Sequence, residues 1–307
     1  MALFVVMAIL GGRLLDRATW PTRAPALGIL AWQALTAAVA LAVVLTGVSL
    51  ALPELHLSGN VSQMLRTCLI ELQHRYSTPV GSMLGVAGAC LALGVSARLL
   101  HAWTATTLAA GRQRRRHLIG LGLIADSTSP DAVAFVDHEE PLVYCLPGRR
   151  RRVVVTSGAK RLLTQRQLRG VLAHERVHLR ARHHLAIVAS TALSQAFFGL
   201  GVFRTAAERV VELVEMHADD AVSGSQRRDL ASALLRLSGA AAPAGALGVG
   251  GATAVARIIR LSQPRAPLPS QARWPILALT LATVVIPVLL AVLPAGMAVA
   301  EHCCVVA

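Results

Sequence analysis

Residues 174–178 read His174-Glu175-Arg176-Val177-His178, two imidazoles four positions apart with a carboxylate beside the first. On a helix, positions i and i+4 lie on one face a turn apart, so both rings can reach a single metal ion. Glu175, next to the first ring, can then take a proton from a water that attacks a peptide carbonyl. This is the HExxH arrangement of zinc-dependent hydrolysis, and its chance occurrence in a chain of this length is on the order of 1%. The bland alternative is a pair of solvated histidines on an amphipathic helix. A third protein ligand separates the two, because a catalytic zinc site needs three protein donors and an open fourth position for water. Glu215, in Glu215-Met216-His217-Ala218-Asp219, is the preferred donor. It shares a helix face with Asp219, so Glu215 can bind the metal while Asp219 accepts a hydrogen bond from the outer nitrogen of a ligand histidine. His184 stands ten residues after His174, but the turn such a ligand needs is made at a glycine, where this chain has Ala181, and the helix is expected to run on past it. Glu212 is a substitute donor close to the Glu215 face. No residue stands out as an oxyanion stabiliser, and His217 is expected to point off that face.

The elements that hold these groups are marked in the flanking residues. Thr164 with Gln167 three positions on forms a capping box that starts the helix carrying the HExxH segment. Thr205 with Glu208 forms a second, expected to open the Glu215 helix, which ends near Gly224. Residues 131–144 and 152–156, rich in Val, Phe and Tyr around Pro147-Gly148, read as an antiparallel hairpin with Arg149 to Arg152 at its tip. The Gly/Ala-rich stretch 239–254 reads as a flexible linker.

The setting is a membrane. Of 307 residues, 54% are hydrophobic and only 15% charged, far from a soluble composition. The formal charge of +14 comes in islands between apolar runs, so no direct nucleic-acid partner is expected. Crossing about 30 Å of hydrocarbon takes about 20 helical residues. The runs 26–52, 77–97 and 274–300 are uncharged and long enough, with Pro287 tolerated inside the last. The shorter run 1–12 is read as a first span. Arg13, Arg17 and Arg23 after the first run, and Arg112, Arg114, Arg115 and Arg116 after the third, place those segments in the cytoplasm. Because the spans carry no charge, a transporter is disfavoured. Five cysteines, Cys68, Cys90, Cys145, Cys303 and Cys304, form no CxxC pair and suggest neither a zinc ribbon nor a disulfide framework.

Leu146-Pro147-Gly148, Val153-Val154-Val155-Thr156-Ser157-Gly158, the segment from Leu163 to His178, and Glu215 to Asp219 resemble the gluzincin domain of BlaR/MecR-type membrane metallopeptidases, relatives of the HtpX and CAAX-prenyl-protease families. The resemblance spans roughly 130–225. It implies His174, His178 and Glu215 as ligands of one Zn2+ per chain, Glu175 as the catalytic base, and Asp219 as the carboxylate behind a ligand histidine. One departure is that a penicillin-binding sensor domain follows the last span in BlaR/MecR proteins, whereas seven residues follow Ala300 here. The resemblance implies a protein substrate, and by analogy a cytoplasmic winged-helix repressor.

The expected architecture is a mainly α membrane protein with four transmembrane helices and an inserted cytoplasmic α+β gluzincin domain. Its parts are a membrane region 1–111 (spans at about 1–12, 26–52 and 77–101), a zinc metallopeptidase domain 112–272, a last transmembrane helix 273–300 and a tail 301–307. The expected place is the plasma membrane, with the lipid bilayer as a partner. The apolar run 185–203 could also span by hydropathy. Crossing once would put Glu215 and His174 on opposite sides, so it is expected as a buried core helix or a hairpin dipping into the membrane. Two other functions compete with cleavage of a repressor: a non-catalytic membrane transducer, and a general quality-control protease for membrane proteins.

Overall fold

The structure is a computed structural model and describes residues 2–52, 70, 73, 76–120, 133–147, 152–238, 251–264 and 267–305. The N-terminal part is helical: α1 (Ala2–Arg17), α2 (Trp20–Arg23), α3 (Pro25–Ala51) and α4 (Pro79–Gly120). Among the described residues, three helices are long and apolar enough to cross a membrane: α3, the Pro79–Gln113 part of α4, and the Ser270–Leu289 part of α11 (Ser270–Val305). The span expected at 1–12 is not among them. It lies in α1, whose 16 residues reach about 24 Å and include Arg13, Asp16 and Arg17. At 42 residues α4 extends about 63 Å, twice the hydrocarbon thickness, so its arginine-bearing end lies beyond any span. Helices α3 and α4 meet backbone to backbone. A Cβ on Gly47 would fall 2.7 Å from Ala92 N, and one on Gly88 would fall 2.7 Å from Gly47 O.

A three-stranded sheet follows, of β1 (Val133–Val136), β2 (Val143–Leu146) and β3 (Arg152–Thr156) in the order β1-β3-β2. The expected hairpin is only half of it. Strand β2 pairs antiparallel with β3, Val143 opposite Val155, but β1 pairs parallel with β3, Val133 opposite Val153. The stretch 131–144 fails as one strand because 137–142 carries Asp137, Glu139, Glu140 and Pro141, and its backbone is held by side chains. Thr156 Oγ1 donates to Glu140 O (2.6 Å) and accepts from Leu142 N (3.0 Å), and Ser157 Oγ accepts from His138 N (3.0 Å). Gly148 and Arg149 to Arg151, the expected tip, lie outside the described residues.

Six helices complete the described chain: α5 (Ser157–Leu162), α6 (Gln165–Arg180), α7 (His183–Ala196), α8 (Gly201–Asp220), α9 (Gly224–Ser238) and α10 (Gly251–Ser262), before α11. The α6 capping box is formed, with Gln167 N donating to Thr164 Oγ1 (3.3 Å) and Thr164 N to Gln167 Oε1 (2.9 Å). Helix α8 begins four residues before Thr205, so the second expected box sits inside a helix. Most of the glycine-rich stretch lies outside the described residues, and its last part, from Gly251, is the start of α10.

The run 185–203 folds as a helical hairpin. Helix α7 ends at Ala196, the chain turns through Gly199 (φ +87°), where a left-handed conformation favours glycine, and α8 starts at Gly201. Phe197 and Phe203 stack across the turn at 4.4 Å, and the Arg98 guanidinium of α4 donates to the Ala196 and Gln195 carbonyls, covering the end of α7. Ile29 and Trp32 of α3 pack against Ala206, Val210, Leu213 and Val214 of α8, all buried. The membrane-length helix therefore buttresses the helix that carries Glu215. A second apolar core joins Leu163, Val171, Leu230, Leu234 and Leu261, binding α6, α9 and α10 together.

Candidate metal centre

Helix α6 turns His174 and His178 inward, 4% and 8% exposed, on the face that packs on α8. The α7–α8 hairpin returns Glu215 to the same place. His174 Nε2 lies 3.0 Å from His178 Nε2 and 3.4 Å from Glu215 Oε2, and His178 Nε2 lies 3.6 Å from Glu215 Oε1. Donors bound at about 2.1 Å to one tetrahedral zinc ion stand about 3.4 Å apart, close to the separations of these two nitrogens and the carboxylate oxygens, so the three side chains fit such an ion. Among the described residues these are the one group of three or more such side chains that could hold a metal.

Each histidine is held from behind in a different way. His174 Nδ1 lies 3.0 Å from Asp219 Oδ1, and Asp219 is fully buried. His178 Nδ1 lies 3.1 Å from His183 Nδ1, whose Nε2 lies 2.8 Å from His217 Nδ1. With His174 charged, the contacts have one direction: His174 Nε2 donates to His178 Nε2, His178 Nδ1 to His183 Nδ1, and His183 Nε2 to His217 Nδ1. Arg257 of α10 forks onto Asp219 (Nε to Oδ2 2.9 Å, Nη2 to Oδ1 2.7 Å) and reaches Glu215 Oε2 through Nη1 at 2.8 Å.

These contacts set the charges. Burial pulls the His174 pKa down, but the hydrogen bonds it donates to Asp219 and Glu215 and their charges outweigh it and raise the imidazolium to about 9. His178 is lowered to about 4, first by burial, with Glu215 opposing and the His174 and Arg257 charges adding. Burial and the neighbouring rings take His183 to about 3. Glu215 is lowered to about 2 because His174 and Arg257 overcome its burial. Burial raises Glu175, while the charge of His174 and a hydrogen bond from the Cys145 thiol on β2 restrain the rise. A carboxylate kept neutral more readily than in water, beside a metal-binding triad, suits a base that must take up a proton and release it.

The histidines and carboxylates of this centre, though not Arg257, lie within a segment that a family model matches. Residues 110–253 match the model of Peptidase family M48. The match covers a little under half of the chain, supports the M48 metallopeptidase family and implies a metallopeptidase, a class typically dependent on zinc. No curated protein and no solved structure matches the chain.

Within the M48 segment the structure brings His174, Glu175, His178, Glu215 and Asp219 together. It does not bring in the two alternative donors. Helix α6 does not run on past Ala181 as expected. It stops at Arg180, and Arg182 takes a left-handed conformation (φ 52°, ψ 40°), which swings His183, not His184, back onto His178. Glu212 is paired with Arg209 at 2.8 Å on the outer side of α8. His217, though off the Glu215 face, reaches the centre through His183. Cys145, which belongs to no metal or disulfide pattern in the sequence, hydrogen-bonds Glu175. Arg257 lies beyond the M48 match and past the glycine-rich stretch, where no local pattern marked it. A cavity of about 510 Å³ between α3, α4 and α7, lined mainly by apolar groups such as Leu99, Leu100 and Trp103, lies apart from this chemistry.

Proposed function

We propose that the protein is an integral-membrane zinc endopeptidase in which His174, His178 and Glu215 hold the metal and Glu175 is the base. The observation that carries this is the convergence of two buried imidazole nitrogens, 3.0 Å apart, with the two oxygens of the half-buried Glu215 carboxylate at 3.4 and 3.6 Å from them, one ligand atom from each residue lying within 4.8 Å of the others, and the half-buried Glu175 carboxylate next to His174 in the chain. When bound, the zinc ion supplies Lewis acidity toward water and a peptide carbonyl. Asp219 and His183 fix which nitrogen of each histidine faces inward. Glu175 takes the proton from the attacking water and delivers it to the departing amide nitrogen, and the Cys145 thiol keeps its carboxylate from rising too far to accept that proton. Strand β2, at an edge of the sheet and packed beside α6, is placed to align an extended substrate chain.

Three membrane-length helices, and the arginines at the end of α4, support a plasma-membrane protein with its peptidase part in the cytoplasm. The substrate is then a cytoplasmic or membrane-associated protein. The likeness to BlaR/MecR-type peptidases favours a transcriptional repressor, and membrane-protein clients are the rival class. The test is cleavage of an unfolded protein by the detergent-purified chain, lost on chelation and regained with zinc. Glu175→Gln is expected to cut turnover by about 10²- to 10⁴-fold while metal stays bound. Turnover unchanged in Glu175→Gln would overturn the assignment.

A further inference from the structure

Arg257 stands four residues past residue 253, where the M48 match ends, yet its side chain is 6% exposed and enters the centre. Its planar guanidinium serves two carboxylates one helical turn apart on α8. Nε and Nη2 take both oxygens of Asp219, and Nη1 takes Glu215 Oε2. That bond bears on how the Glu215 carboxylate is turned. With Oε2 held by Arg257, Oε2 faces His174 Nε2 (3.4 Å) and Oε1 faces His178 Nε2 (3.6 Å), the orientation in which a carboxylate can serve a metal together with both rings. Beside the His174 imidazolium, Arg257 supplies a second cation to a space that holds the carboxylates of Glu215, Asp219 and Glu175. A lysine could supply the charge but not the fork.

The helix that carries Arg257 is also docked by other side chains. Leu261 and Ile258 of α10 pack with Leu230 and Leu234, and Arg260 grips Asp220 (2.6 and 2.9 Å) and the Thr22 carbonyl (2.8 Å). The fork is a separate contact, aimed at the ligand cluster. Helix α10 also leads, within eight residues of its end at Ser262, into the membrane-length helix that starts at Ser270.

We infer that Arg257 is a positioning residue that holds Glu215 and Asp219 in metal-binding geometry, so that the centre is completed from the helix preceding the last membrane-length helix. This rests on the zinc reading above. The experiment is equilibrium competition for zinc against a chromophoric chelator, using the detergent-purified full chain. Arg257→Ala is expected to weaken zinc about 10- to 100-fold, Arg257→Lys to recover only part of the loss, and Arg260→Ala, on the same helix but away from the cluster, to bind like the wild type. Melting of each variant without zinc separates loss of fold from loss of site, and if Arg257→Ala does not fold, Arg257→Lys decides. Zinc bound as tightly or more tightly in Arg257→Ala, or fully restored by lysine, overturns the inference. Glu215→Ala separates the two levels. If it loses zinc while Arg257→Ala keeps it, only the role of Arg257 fails, and if Glu215→Ala also binds like the wild type, the metal reading itself fails.

Discussion

Binding of zinc is expected to expel a proton from His174, and the size of the effect follows from the contacts around that ring. In the metal-free centre His174 is clamped between two anions, with Asp219 Oδ1 3.0 Å from Nδ1 and Glu215 Oε2 3.4 Å from Nε2, and its pKa stands at about 9. A metal requires the neutral ring. At pH 7.5 a group of pKa about 9 is about 97% protonated, against about 9% for an ordinary histidine, so His174 should release nearly one proton and lower the apparent affinity about 30-fold, about 2 kcal/mol. His178, at about 4, and Glu215, at about 2, have already lost theirs. The sign is fixed: affinity rises with pH up to about 9. The stability that the charged ring lends the metal-free chain is complete below about pH 6.5 and is lost as pH rises through about 9. Calorimetry in buffers of different ionisation heat counts the protons. Because water on a bound zinc also ionises near neutrality, the informative quantity is the difference from Asp219→Asn, which removes one anion and lets the ring neutralise. Wild type should release most of one proton more than this variant. Equal release in the two would refute the reasoning.

Replacing His183 with Ala removes the acceptor behind His178, and zinc affinity should fall about 10- to 100-fold, with part regained in His183→Asn, as read by chelator competition. Cys145→Ala deletes the thiol that donates to Glu175 and so lets that carboxyl rise further, and the acid limb of the pH–rate profile for cleavage should move to higher pH. Gly88→Val drives a side chain into Leu50 and the Gly47 carbonyl, and the melting temperature in detergent should drop, with an expected cost of about 1–3 kcal/mol from overpacking.

What could be read from the sequence was local. Thr164, Gln167 and the four-residue spacing of His174 and His178 are decided within two turns of helix, and helical periodicity alone puts both rings on one face. Glu215 and Asp219 were legible as a pair one turn apart, but their meeting with His174 depends on the turn at Gly199, which was inferred only from the need for one metal to be shared. Elsewhere tertiary contacts override local signals. Thr156 and Ser157 capture the backbone of 137–142 and split an apparent strand in two. Thr205 and Glu208 look like a helix start, yet packing of Phe203 and Ala206 extends α8 past them. Arg182 has no sequence signature for a left-handed turn, so nothing local marks His183, rather than His184, as the partner of His178. Arg257, 38 residues from Asp219, is joined to it only by the folding of α10 onto α9.

The central claim is a single metal held by α6 and α8 together, and metal content per chain tests it most directly. Elemental analysis of the detergent-purified protein should find about one zinc in the wild type and in Glu175→Gln, and a loss in Glu215→Ala. Wild-type zinc in Glu215→Ala would contradict the account, because the third donor would then lie elsewhere than on α8.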